Sequence, residues 1–230
     1  MKVGSLEIDI VRKNIKHLYI KVYPPNGTVR VVCPHRLEET IIKQFIAQKM
    51  SWIEQKRTKL QKLPHKQAQS KEYLTGEIHY YKGDRYVLNV IASSTKPKVV
   101  REQNRLDLYV GYNSIREQRA KILTDWYRQQ LKAELPKEID RWQRIIGVRV
   151  NDWGVKKMKT RWGTCNTSAK RIWLNLELIK PPHHCLEYVI VHELVHLLER
   201  QHNQRFWSYV GQYLPEWQQS QTELNQFPLG

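Results

Sequence analysis

The sequence predicts an α+β chain in two parts. Residues 1–112 read as a β-rich part with one long helix, and residues 113–230 as helices with a β-hairpin, carrying an apolar helix with the order H-E-x-x-H. Three patterns carry this. Residues 3–10, 15–23 and 28–33 alternate apolar and polar and are rich in Val, Ile and Tyr, as half-buried strands are. From Leu37 to Leu63 the period changes, with Ile42, Ile46, Met50, Ile53 and Leu60 near helical spacing. Around His192 the chain is apolar on nearly every side, as in a mostly buried helix.

Each element has its own local cause. The Pro24-Pro25-Asn26-Gly27 turn joins the second and third strands. Pro64 stops the long helix, and a polar linker runs from His65 to Lys71. Short strands are expected at Glu72–Leu74, Glu77–Tyr81, Tyr86–Ile91, Lys98–Val100 and Arg105–Val110, with turns at Gly83-Asp84 and Ser93-Ser94; the β-rich part ends near Gly111. Ser114 with Glu117 has the pattern of a capping box, starting a helix that bears Ile122, Leu123, Trp126 and Leu131 and runs towards Glu134. A second helix is expected from Pro136, acceptable in a first turn, to Ile146. Strands over Arg149–Trp153, Lys156–Trp162 and Arg171–Glu177 follow, ended by Pro181-Pro182. The H-E-x-x-H helix runs from about His184 to Arg200, a last helix covers Gln204 to Tyr213, and no internal repeat is visible.

Composition bounds the class. Hydrophobic residues are 40% and charged residues 27% of 230, with eight Trp and twelve Tyr, as in a folded globular protein and not a disordered one. No apolar run approaches a membrane span, so no membrane partner is expected. The start, MKVGSLEIDIVRKN, has no apolar core of a secretion signal, and Cys33, Cys165 and Cys185 are too few for a disulfide framework. The expected compartment is the cytoplasm. The net charge of +17 divides as +11 in residues 1–112 and +6 in 113–230. Such an excess makes nucleic acid a candidate partner, although basic residues also simply solvate helix faces, as in Lys56-Arg57-Thr58-Lys59. Lys156, Lys157, Lys159 and Arg161 form a second basic cluster, placed to flank a cleft. Nothing in the sequence sets an oligomeric state.

The chemistry concentrates in VHELVHLLERQHNQRFW, Val191 to Trp207. Positions four apart on a helix share one face, so His192 and His196 can reach one metal ion, with Glu193 beside them to take a proton from water. The pattern arises by chance in about one chain in forty of this composition, and paired histidines also serve as core or surface residues. The apolar helix and a third histidine, His202, argue against that reading. His202 lies ten residues after His192, about 280° round an unbroken helix. It joins only if the helix stops first; Gln201-His202-Asn203 looks like such a break, with Asn203 as N-cap of a new helix carrying Phe206, Trp207 and Val210. Glu199 is the rival third ligand, or a partner for a ligand's second nitrogen. Arg161 and Asn175 are candidate substrate-binding residues, with hairpin stabilisation as the alternative for both. Trp162, Trp173 and Trp207 read as core, Cys165 as a buried structural thiol, and His183 and His184 as helix-start or surface residues.

These stretches resemble the YgjP-like metallopeptidases, with a more distant likeness to the SprT-like proteases. HELVHLLERQHNQRFW and KMKTRWGTCNTSAKRIWLNLELIKPP carry the resemblance, the latter matching the family's R-W-G-[ST]-C hairpin; IIKQFIAQKMSWIEQK and YLTGEIHYYKGDRYVLNV add weaker matches. Thr164 and Thr167 stand where serines are common, and Trp173 where a smaller residue is usual. The resemblance implies a zincin-like second part and a zinc-dependent hydrolase, acting as a peptidase on peptide or protein. It implies a single Zn2+ held by His192, His196 and His202, with Glu193 as general base. Two other functions fit parts of the sequence: a basic nucleic-acid-binding protein with structural metal, and a metal-dependent hydrolase of a nucleotide or other small substrate.

Overall fold

A computed structural model describes residues 1–3, 6–23, 27–62 and 71–229. Pro24 to Asn26 of the expected turn, the stop at Pro64 and the linker residues 65–70 lie outside the described residues. The chain is mixed α+β and forms two compact units, Met1–Ser70 and Lys71–Gly230.

The first unit pairs β1 (Lys2–Val3), β2 (Leu6–Lys13), β3 (Tyr19–Tyr23) and β4 (Thr28–Pro34) in the order β1-β2-β4-β3. Alternation sorts the sheet's two faces: Leu6 and Ile8 of β2 and Val29, Val31 and Cys33 of β4 turn inward. They meet Ile42 and Ile46 of α1 (Glu39–Gln48) and Ile53 of α2 (Met50–Lys62) in one core. The single helix expected here is interrupted at Lys49, whose backbone N–H is shared between the carbonyls of Phe45 and Ile46.

The second unit starts with β5 (Ile78–Tyr81), β6 (Asp84–Ala92), β7 (Lys98–Glu102) and β8 (Arg105–Val110), ordered β5-β6-β8-β7. Glu72–Leu74, expected as a strand, is not one. Both four-stranded sheets have the same plan, an antiparallel pair on each side of a central parallel pair. The repeat is invisible in the sequence because only its plan recurs: Ile8 faces Val29 in one sheet where Leu88 faces Leu106 in the other.

One helix, α3 (Arg116–Ile146), replaces the two expected on either side of Pro136. A proline inside a helix costs a hydrogen bond and a clash. Here Leu123, Tyr127, Leu131, Leu135, Ile139, Trp142 and Ile146 keep one buried stripe in phase across it, and packing overrides the break. The start also differs: Gln118 accepts from the N–H of Ile115, and the Ser114–Glu117 box is not used. The α3 stripe shares its core with Tyr81, Leu88, Leu106 and Leu108 of the second sheet. The compact units therefore divide at Ser70/Lys71, whereas the sequence suggested 112/113.

Three short strands follow, β9 (Asp152–Lys156), β10 (Gly163–Asn166) and β11 (Arg171–Asn175), ordered β10-β11-β9. The strand expected over Lys156–Trp162 is instead mostly a loop, and the hairpin strand begins at Gly163. A 3-10 turn over Leu176–Ile179 leads to α4 (His183–Val195), then α5 (Gln204–Tyr213) and α6 (Trp217–Leu224). The entry to α4 is set by a close approach. Lys82 and Gly83 donate their N–H groups to the carbonyls of Ile179 and Lys180, and a Cβ on Gly83 would stand 2.8 Å from Pro182 Cγ. Gly83 also has a φ of +91, in the left-handed region that glycine tolerates.

Two outcomes follow for stability. Leu131→Ala, at a fully buried position of the α3 stripe, is expected to cost about 2–5 kcal/mol in urea denaturation; a loss near zero would show that the stripe is not core. His183 stands 3.6 Å from Glu134 and 3.5 Å from Glu138, with Glu187, Lys82 and Arg141 in the same network. The Glu134 bond and the nearby carboxylates raise its pKa above 6.5. Its contribution is therefore present below pH 6.5 and lost as pH rises through the raised value. The melting-temperature gap between wild type and His183→Gln should be wider at acidic than at alkaline pH; a gap that widens with pH would reverse the sign.

Candidate metal centre

Helix α4 is buried along most of its length, with Leu186, Val189, Ile190, Val191, Leu194 and Val195 in the core, and so forms a rigid base. It ends at His196, where Leu197 and Leu198 donate back to Leu194 and Val195 in tightened last-turn bonds. The helix is thus shorter than the expected run to Arg200. The chain then turns, and Asn203 caps α5 by accepting from the N–H of Phe206 at 3.0 Å, as its position suggested.

That return brings His202 back beside the other two histidines. Its Nε2 lies 2.9 Å from His192 Nε2, and the three imidazoles each offer a ligand atom, all within 4.8 Å of one another. Phe206 stands behind them, its ring centroid 4.7–4.9 Å from each imidazole. Trp207 stacks on His202 at 27°. Burial, reinforced by His196 and His202, pushes His192 down to about 3, and burial lowers His196 as well. His192 Nδ1 is buried without a hydrogen-bond partner among the described residues. Two neutral imidazoles can share one proton at this distance, whereas three uncharged imidazoles converging within ligand reach also match the donors of a single metal ion. The donor set therefore fits a divalent metal ion. His196 Nδ1 is 3.3 Å from the Glu199 carbonyl, which holds its proton there and leaves Nε2 free to ligate. Glu199 acts through this main-chain oxygen; its carboxylate accepts from the N–H of Gln201.

Glu193 is 5% exposed, and burial raises its pKa to about 8 against the pull of Arg161. Strand β10 lies directly over it, and a Cβ on Gly163 would fall 2.5 Å from Glu193 Oε1. The glycine of RWGTC is thus required by the carboxylate beneath it. A cleft of about 860 Å3 joins these groups, lined by Arg161, Cys165, Tyr188, Glu193, Arg200 and the three histidines, among others.

The remaining candidates separate. Arg161 lines the cleft and is exposed. Asn175 is fully buried, with every polar position spent on backbone: Oδ1 accepts from Met158 and Glu177, and Nδ2 donates to the carbonyls of Met158 and Arg161. It holds the 158–161 loop, the hairpin role named as its alternative. Trp173 packs over Gly154, whereas Trp162 borders the cleft. Cys165 is half-buried in the cleft wall, its thiol pushed up to about 11 by burial and by Glu193. His184 bonds Glu223 at 2.8 Å, apart from the cluster. Sequence reasoning missed Tyr188, which lines the cleft with its ring 5.9 Å from that of His192. Its place one helical turn before His192 was the available signal.

The contact between Gly163 and Glu193 is testable. Gly163→Ala should lose about 1–3 kcal/mol through crowding, and adding Glu193→Ala should recover most of it. Strictly additive losses in the double mutant would mean that the two residues do not touch.

No curated protein matches the chain. Two solved structures show limited likeness: the metallopeptidase zymogen of Pyrococcus abyssi abylysin is 18% identical, with a TM-score of 0.37, over 39% of this chain and 90% of that one. The metallopeptidase zymogen of Methanocaldococcus jannaschii jannalysin is 18% identical, with a TM-score of 0.36, over 40% and 94%. Assignment rests on the family match. The YgjP-like metallopeptidase domain covers residues 16–227, so the chain belongs to the YgjP-like metallopeptidase family, whose chemistry implies a divalent metal and a peptide or protein substrate.

Proposed function

We propose that this chain is a zinc-dependent metallopeptidase of zincin-like design, with His192, His196 and His202 holding a single zinc ion and Glu193 as general base. The observation that carries the reading is the meeting of three imidazoles, two of them held neutral by burial, with a buried carboxylate on one cleft wall. A bound zinc ion acidifies water and polarises a carbonyl as a Lewis acid. Among the described residues three donors gather, which leaves the open position of a catalytic site and disfavours a closed structural one.

The chain's own groups supply the rest. Glu193 accepts a proton from the attacking water on its carboxylate, and its apolar surroundings favour keeping that proton. It then passes the proton to the amide nitrogen as the amine leaves. Arg161, at the cleft rim, contacts the substrate, and Asn175 acts through it by fixing the loop on which it stands. A cytoplasmic location is proposed from the sequence, whose three cysteines are too few for a disulfide framework. Among the described residues no helix is long and apolar enough to cross a membrane.

Purified protein should contain about one zinc per chain, and His192→Ala and His196→Ala should lose most of it; wild type that stays metal-free with zinc supplied would sink the site. Glu193→Gln should keep the metal but lose about 100- to 10,000-fold in turnover of peptides or unfolded proteins. Full turnover in Glu193→Gln would remove the base assignment. Hydrolysis of nucleotides alone, with peptides untouched in the same screen, would overturn the peptidase.

A further inference from the structure

The peptidase reading leaves the N-terminal unit without a role, although charge is concentrated there. Residues 1–70 hold fourteen Lys and Arg against five Asp and Glu, an excess of +9; residues 71–230 hold twenty-five against seventeen, an excess of +8. More than half of the surplus thus sits on less than a third of the chain.

Strand β3 shows where part of it is displayed. Ile20 and Val22 turn into the core, which leaves Tyr19, Lys21 and Tyr23 on the outward face of an edge strand. Tyr19 is 50% exposed and Tyr23 38% exposed, so large rings stand in water beside a cation without being needed for packing. The register continues the pattern across the sheet: Lys21 lies opposite Arg30, and Arg30 opposite Asp9. Asp9 is taken up by Arg30, whose Nε donates to it at 2.6 Å, and the same guanidinium lies 5.5 Å over the Tyr23 ring. Lys21 forms no ion pair among the described residues. The two rings are four residues apart, about 13 Å along a strand, with this lysine midway.

We propose that this outward sheet face binds single-stranded nucleic acid, with Tyr19 and Tyr23 stacking on unpaired bases and Lys21 meeting the intervening backbone phosphate. Stacking platforms interleaved with cations fit that polymer because each base offers a flat face and each link a negative charge. A duplex keeps its bases stacked on one another, so the rings favour the single strand. The net charge adds long-range attraction that weakens with salt.

The test uses the full chain and fluorescein-labelled oligo(dT), oligo(U) and a duplex of equal length, read by anisotropy at low and raised salt. Neither metal nor turnover enters the readout, so it stands apart from the peptidase reading. Single strands of either sugar should bind at low salt and release as salt rises. Tyr19→Ala and Tyr23→Ala should each weaken binding about tenfold, Tyr→Phe at either site should retain it, and Lys21→Gln should reduce the salt slope by about one. The proposal is overturned by no single-strand binding at low salt, by alanine variants that bind like wild type, or by alanine variants that lose binding only because they unfold while the phenylalanine variants lose it folded. Tighter binding to the duplex, or to vesicles containing anionic lipid, would also overturn it.

Discussion

The site depends on one helix ending where it does. Had α4 continued as a helix beyond His196, His202 would lie about 280° round from His192 and a further 15 Å along the axis. The short return from Leu197 to Asn203 removes that separation with few parts. Last-turn bonds at Leu197 and Leu198 close the helix, the Glu199 carbonyl receives His196 Nδ1, and Asn203 opens α5 in a new direction. Termination, orientation of one imidazole and delivery of the third are therefore a single structural event. Phe206, the residue whose N–H Asn203 caps, is also the ring against which all three imidazoles rest.

Close approaches hold the rest of the centre in place. Gly83 lets a hairpin turn meet Pro182 at the start of α4, and Gly163 lets β10 lie on Glu193. Both glycines stand where another element needs the space of a Cβ. Asn175 works from the other side of the hairpin, saturating its amide to fix the loop that carries Arg161. The cleft wall and the helix beneath it are thus coupled by packing and by buried hydrogen bonds, which are costly to leave unpaired.

Much of the local architecture was legible in the sequence, and the failures share a cause. Apolar alternation located β2 and β4, the short strands expected between turns matched β6 and β8, and the asparagine at 203 marked a real cap. The H-E-x-x-H spacing, with a break before His202, anticipated which three imidazoles meet. Pro136 misled because local propensity assigns a break there, whereas the stripe from Leu123 to Ile146 stays in phase and is buried. The unit boundary was hidden for a similar reason: the second sheet shares its core with a helix that follows it in sequence, and composition does not report who packs with whom. Asn175 and Gly163 needed coordinates, since what matters about each is a neighbour distant in sequence.

The electrostatics of Glu193 show how local surroundings prevail over global charge. A protein of net charge +17 should, by long-range attraction alone, favour an ionised carboxylate. Most of that charge is exposed and screened within about 8–10 Å in physiological salt. Near the group itself Arg161 does pull its pKa down, but Arg161 is exposed, so its field passes largely through water. Burial acts at the carboxylate with no such attenuation, and it raises the pKa to about 8. Before any metal enters, the fold alone has therefore made this carboxylate a good holder of a proton. Strand β10, which lies on it through Gly163, contributes to that burial.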